Sequence, residues 1–231
     1  MPPLKNKPLV KRFRSPESMA DYAAGLFARL LRRKKTGAFL AALSGGRTPA
    51  ALFGALAGLK LDWARVHFFM ADERLVPPDS PFSNFGQARE LLFSKIPIPA
   101  ANLHPPGVRQ PAQAAKAYEK EITKLAGPSG ALDLVFLGLG SDGHTASLFP
   151  GARTLSERKR LVVPAKAPPG VRPAARITLT FKALNAAGAA VLLAAGPDKK
   201  DLFARTAAGD KALPAARVRP AGGLYLLFSE K

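Results

Sequence analysis

The feature that most constrains this chain is the alternation of short, continuously apolar runs with longer amphipathic segments. The runs at 38–43, 66–70, 132–137 and 191–195 carry almost no polar residue, the pattern of strands buried on both faces. Between many of them lie stretches with apolar residues at helical spacing, and strand–helix–strand order packs as βα units around a mostly parallel sheet. The expectation is one Rossmann-like α/β domain over residues 1–231, with helices on both faces. Further strands are expected at 9–13, 176–180 and 224–228. The first helix follows Ser15, where Ser15-Pro16-Glu17 offers an N-cap, a proline at the first turn and an early acid, and it should stop at Gly37. Other helices are expected at 49–57, 84–93, 111–126 and 198–207, with the proline-rich stretch 164–173 as a loop within the domain.

Composition narrows the chemistry. Hydrophobic residues make up 47% of the 231, enough apolar surface for a core. With no cysteine and three scattered histidines, disulfides, thiolate nucleophiles and sulfur-bound zinc are excluded, and neither metal nor cofactor is expected. The N-terminus has no apolar leader core, and the longest apolar stretch, 186–196, falls short of the ~20 residues of a membrane-spanning helix, so a soluble cytoplasmic protein is expected. The net charge of +19 attracts anions. Its basic residues are dispersed over 5–14, 29–35, 153–176 and 205–219 without a nucleic-acid motif. They read as a solvated surface, with no specific nucleic-acid or membrane partner.

Ligands of open α/β sheets collect beyond the carboxyl ends of strands, and three loops there stand out. In the first, Ser44, Gly45, Gly46, Arg47 and Thr48 lead from a strand into a helix whose start is marked by Thr48 and Pro49. Paired glycines admit close backbone approach, and a helix N-terminus presents unpaired N–H groups to an anion. The Gly-Lys-Ser/Thr ending of a nucleotide P-loop is missing. The second loop sets Asp72, Glu73 and Arg74 after an apolar strand, a place where Asp72 can face a ligand and Arg74 a developing negative charge.

The third loop runs Gly138-Leu139-Gly140-Ser141-Asp142-Gly143-His144-Thr145-Ala146-Ser147. Its glycines satisfy G-x-G-x-x-G, but Pro150-Gly151 stop any long helix, so this is not a dinucleotide fingerprint. The glycines instead expose Asp142 and His144 at a strand end, where the imidazole suits proton transfer near neutral pH. His67, inside a strand, and His104, before Pro105-Pro106, are expected to be structural. Neither Ser44 nor Ser147 lies in a G-x-S-x-G elbow, so no serine nucleophile is expected.

Taken together, the order of these motifs resembles the 6-phosphogluconolactonase family: S-G-G-x-T-P at 44–49, D-E-R at 72–74, Ser83-Asn84, G-L-G-S-D-G-H-T-A-S-L-F-P at 138–150, and R-I-T-L-T at 176–180. The family's G-x-x-K element falls on Gly196 to Lys199, with Lys200 adjacent. The resemblance implies metal- and cofactor-free hydrolysis of 6-phospho-D-glucono-1,5-lactone by a monomer or weak homo-oligomer. It implies phosphate binding by the 44–48 loop with Arg176 and Lys199. The base would be His144, oriented by Asp142 or Asp72, with Arg74 at the oxyanion. Glucosamine-6-phosphate deaminases are related, but they typically carry D-E-Y where this chain has Asp72-Glu73-Arg74, and a catalytic glutamate where it has Phe149. A non-catalytic nucleic-acid or phosphosugar binding module is the alternative that the charge alone would motivate.

Overall fold

Continuously apolar strands need cover on both faces, and the chain provides it. A computed structural model describes residues 7–231; Lys5, in the N-terminal basic run, lies outside them. Six strands form an all-parallel sheet: β1 (Leu9–Phe13), β2 (Phe39–Leu43), β3 (Val66–Met70), β5 (Leu134–Gly138), β8 (Ala189–Ala195) and β9 (Gly223–Ser229), in the order β1-β9-β8-β5-β2-β3. The central strands are almost wholly buried, whereas the edge strand β1 is exposed along most of its length. Helices α1 (Pro16–Arg33), α2 (Arg47–Ala57) and α3 (Asn84–Leu91) cover one face, around Phe27, Phe53 and Phe68. Helices α4 (Pro111–Ala126), α5 (Phe181–Ala186) and α6 (Lys200–Ala208) cover the other. No helix among the described residues is long and apolar enough to cross a membrane.

Local signals account for several boundaries. The Ser15 side chain accepts from Ser18 N–H and Pro16 opens α1, while Arg32 and Arg33 occupy its last turn, where cations suit the dipole. The helix ends at Arg33, before the expected stop at Gly37, and Lys34 N–H closes it on Leu30 C=O. Helix α6 begins at Lys200 because Pro197–Lys199 form a separate 3₁₀ turn.

The expectation that 176–180 continues the main sheet is corrected by a second, antiparallel sheet of order β4-β7-β6. Its strands are β4 (Asp72–Arg74), β6 (Val162–Lys166) and β7 (Ala175–Leu179); Thr180 is instead the N-cap of α5. Thus Asp72, Glu73 and Arg74, expected in a loop, form a strand, and the stretch 164–173 begins inside another. β4 is short and charged, without strand-like alternation. Pro164 sits opposite Ile177 on the edge strand, where a missing N–H is tolerated.

The two sheets meet through Ala71, whose N–H donates to Leu43 C=O (2.8 Å) and whose C=O accepts from Leu179 N–H (2.8 Å), and the small sheet is tied to α3 by the buried Glu73. Its Oε1 accepts from Arg74 N–H (2.7 Å) and Asn84 N–H (2.8 Å), and its Oε2 from Phe85 N–H (2.7 Å) and Ser83 Oγ (3.3 Å). A carboxylate at a helix N-terminus meets both the dipole and the unpaired donors of the first turn. Glu73→Gln puts an NH₂ donor among those donors. It should lower unfolding stability in urea by about 2–4 kcal/mol; a loss too small to resolve would remove Glu73 as the tie.

Candidate active site

Parallel pairing brings the ends of β2, β5, β8 and β9 to one side, and the loops beyond them enclose a cleft of about 390 Å³. Its lining includes residues 44–49, Asp72, Arg74, His144, Arg176 and Lys199. Every site residue expected from sequence lines it except Asp142, which stands behind the imidazole. Lys200, the alternative lysine, begins α6 and does not line the cleft.

The loop expected to hold an anion is built somewhat differently from that reading. Helix α2 starts at Arg47, with Gly46 as N-cap, and Pro49 contributes no N–H. The donors without an intrahelical acceptor are therefore those of Arg47 and Thr48. Gly46 N–H is taken by Gln87 Oε1 (2.8 Å), whose Nε2 donates back to Gly46 C=O (3.2 Å). Gly45 is required by packing: a Cβ there would lie 2.1 Å from Asn84 Oδ1. Asn84 in turn donates to Asp72 C=O (2.9 Å). Ser44 Oγ is buried with no hydrogen-bond partner among the described residues, an unsatisfied hydroxyl at the cleft wall.

The imidazole is held from three sides. Asp142 Oδ1 lies 2.5 Å from His144 Nδ1 and also accepts from His144 N–H (3.0 Å). A proton on Nδ1 satisfies that carboxylate and leaves Nε2 as the basic nitrogen. Gly140 permits the arrangement, because a Cβ there would stand 2.1 Å from His144 Nδ1. Phe149 packs on the ring at a centroid separation of 4.6 Å. Two residues on, Ala146 is buried at φ 49°, the left-handed region that a non-glycine residue enters only under constraint. Asp72 is engaged elsewhere: its Oδ2 accepts from Ser147 Oγ at 2.6 Å.

The opposite wall is cationic. Arg74 and Arg176 are direct cross-strand partners, a juxtaposition of like charges that is ordinarily unfavourable. Arg74 Nη1 donates to Phe82 C=O (2.8 Å) while its buried Nε has no partner among the described residues, and Arg176 Nε reaches Pro173 C=O (3.2 Å). Burial, and then the Arg74 charge, push Arg176 below the usual arginine range. Burial, with a smaller contribution from Arg47, lowers Lys199, against the opposing pull of Asp198. Among the described residues, none of Arg47, Arg74, Arg176 and Lys199 has a carboxylate within ion-pair distance.

The remaining histidines pair with each other, His67 Nδ1 lying 2.9 Å from His104 Nε2, and neither lines the cleft. Sequence reasoning did not find Gln87, the Ser147 contact to Asp72 or the packing of Phe149 on the imidazole; the first two depend on segments brought together only by folding, whereas Phe149 lies in the same loop as His144 and its packing depends on the turn between them.

Unpaired cations facing an acid-buttressed imidazole, at the carboxyl edge of a parallel sheet, define an α/β protein equipped to anchor an anionic ligand and move a proton. The chain belongs to the family described as glucosamine-6-phosphate isomerases/6-phosphogluconolactonase, whose pattern matches residues 14–226. It is 39% identical over 204 residues to 6-phosphogluconolactonase of Nostoc sp., covering 84% of this chain and 83% of that one. It is 37% identical over 197 residues to 6-phosphogluconolactonase of Haemophilus influenzae, covering 82% and 83%. The crystal structure of 6-phosphogluconolactonase from Thermotoga maritima superposes with a TM-score of 0.85 at 32% identity, over 96% of this chain and 100% of that one.

The unpaired lysine has a thermodynamic signature. Its folded pKa lies below the unfolded one, so the penalty is full at pH values beneath both and fades as pH rises through the interval between them. Lys199→Met should therefore raise the melting temperature near neutral pH by about 1–2 °C, an advantage that shrinks toward the ordinary lysine range. It should also diminish the stabilisation that inorganic phosphate gives the wild type. Thermal scans with and without phosphate test this; an unchanged phosphate response would remove Lys199 from the anion site.

Proposed function

We propose that this cleft hydrolyses 6-phospho-D-glucono-1,5-lactone to 6-phosphogluconate, the second step of the oxidative pentose phosphate pathway. The observation that carries the reading is the Asp142–His144 pair, at 2.5 Å, across one cleft from cations that have no carboxylate partner. The names of the relatives at 37–39% identity point to the same reaction.

Arg47 and Thr48 N–H groups, Ser44, Gly45, Gly46, Arg176 and Lys199 form the phosphate subsite. Anchoring the phosphate away from the reacting bond turns attack on the lactone into a positioned, effectively unimolecular step. His144 Nε2 takes a proton from water as the water oxygen bonds to C1. The carbonyl oxygen gains negative charge, which the Arg74 guanidinium stabilises without reorganising. As the tetrahedral centre collapses, the C1–ring-oxygen bond breaks and the imidazolium returns the proton to the departing oxygen. The new carboxylic acid then ionises, releasing one proton per turnover. Asp142 holds the tautomer and offsets the imidazolium charge, while Asp72 steadies the loop through Ser147.

The step calls on no metal or cofactor. The whole span 1–231 works as one domain, in the cytoplasm, as a monomer or weak homo-oligomer on a small sugar phosphate, without nucleic acid or membrane. The deaminase alternative is disfavoured because Phe149 stands where that chemistry would need a further proton-transfer group.

With freshly generated lactone, wild type should exceed the spontaneous rate in metal-free buffer, followed by proton release. His144→Ala should lose about a hundred- to ten-thousand-fold in kcat, and Arg176→Ala should chiefly raise KM. Normal turnover in His144→Ala would rule out the base. Wild-type turnover no faster than the spontaneous rate would rule out the reaction.

A further inference from the structure

Phe149 is 4% exposed, yet its ring is shared by two groups of the site. The His144 imidazole lies 4.6 Å away, tilted by 47°, and the Arg176 guanidinium carbon stands 5.7 Å from the same ring centroid. The backbone that carries the ring is held by two turns: Phe149 C=O accepts from Ala152 N–H (3.1 Å), and Leu148 N–H closes on Thr145 C=O (3.0 Å).

The charge environment makes that ring consequential. Asp142 on the imidazole's own loop, Asp72 on β4 and Asp198 after β8 favour a positive imidazole. Arg74 on β4, Arg176 on β7, Arg47 at the head of α2, Lys199 after β8 and Lys231 oppose it. Taking a proton from water thus creates one more cation in a cleft already rich in them. An aromatic face is negative at its centre and attracts a cation set against it. An aliphatic side chain of similar bulk fills the space but supplies none of that attraction.

We propose that Phe149 is a positioning residue for His144, its ring stabilising the imidazolium formed in mid-reaction. The catalytic part of this inference rests on the lactonase reading above; the stabilisation of the protonated ring does not.

The test replaces Phe149 site-specifically with mono-, di- and trifluorophenylalanine, which preserve ring shape while progressively weakening the negative face. Two quantities are read in the intact chain. One is the acid limb of kcat for lactone hydrolysis, followed by proton release from about pH 5 to about pH 8. The other is the titration midpoint of the His144 imidazole resonance without substrate, assigned by its loss in His144→Gln. Both should move stepwise to lower pH, by about half a unit in the trifluoro variant. A side chain that merely fills space would leave both constant across the series, and that result overturns the proposal. If the wild type fails to exceed spontaneous hydrolysis, the lactonase reading falls, and the resonance series alone then decides whether the ring supports the imidazolium.

Discussion

One buried carboxylate connects the parts of this molecule that must act together. Glu73 belongs to the small antiparallel sheet but accepts the leading N–H groups of α3. Helix α3 then places Asn84 against Gly45 and Gln87 against Gly46, so the anion loop after β2 is held by a helix that a different sheet has anchored. The same strand presents Asp72 and Arg74 to the cleft. Loop, helix and second sheet are one mechanical unit, and their relative placement depends on a hydrogen-bond set that no apolar packing would specify so narrowly.

The cleft itself works against stability. Arg74 and Arg176 face each other across two strands, Ala146 is held in the left-handed region, and Ser44 and Arg74 each carry a buried polar atom without a partner. Such features persist only where the surrounding structure over-determines them. The parallel sheet does so, with Phe27 in contact with the rings of Phe39, Trp63, Phe68 and Phe136 on one face and α4 to α6 covering the other. An anion bound between these side chains would relieve the repulsion, coupling binding to stability.

The parts legible in the sequence were those whose determinants are local. Continuous apolar runs marked most of the main sheet, and Ser15-Pro16 marked the start of α1. Asp142 and His144 are two residues apart, so their pairing was open to reading before folding was considered. The second sheet was missed because β4 is three polar residues long and β6 contains Pro164. The orienting acid was left between Asp142 and Asp72, because the partner that occupies Asp72, Ser147, lies 75 residues away. The glycine pair marks Gly45 for close backbone approach, but not that its missing Cβ also makes room for Asn84, 39 residues on.

The edge of the main sheet carries a consequence for synthesis on the ribosome. Among the described residues strand β1 pairs only with β9, Leu9 opposite Tyr225 and Phe13 opposite Ser229, so β1 cannot pair until β9, more than 200 residues on, has been made. Contacts of such long sequence separation form late. Until then Leu9 and Val10 must remain in water, and the neighbouring Lys11, Arg12 and Arg14 supply the charge that keeps an unpaired strand from recruiting another chain. Part of the molecule's positive charge thus lies along the exposed edge of the main sheet, where charged side chains disfavour the addition of a further strand.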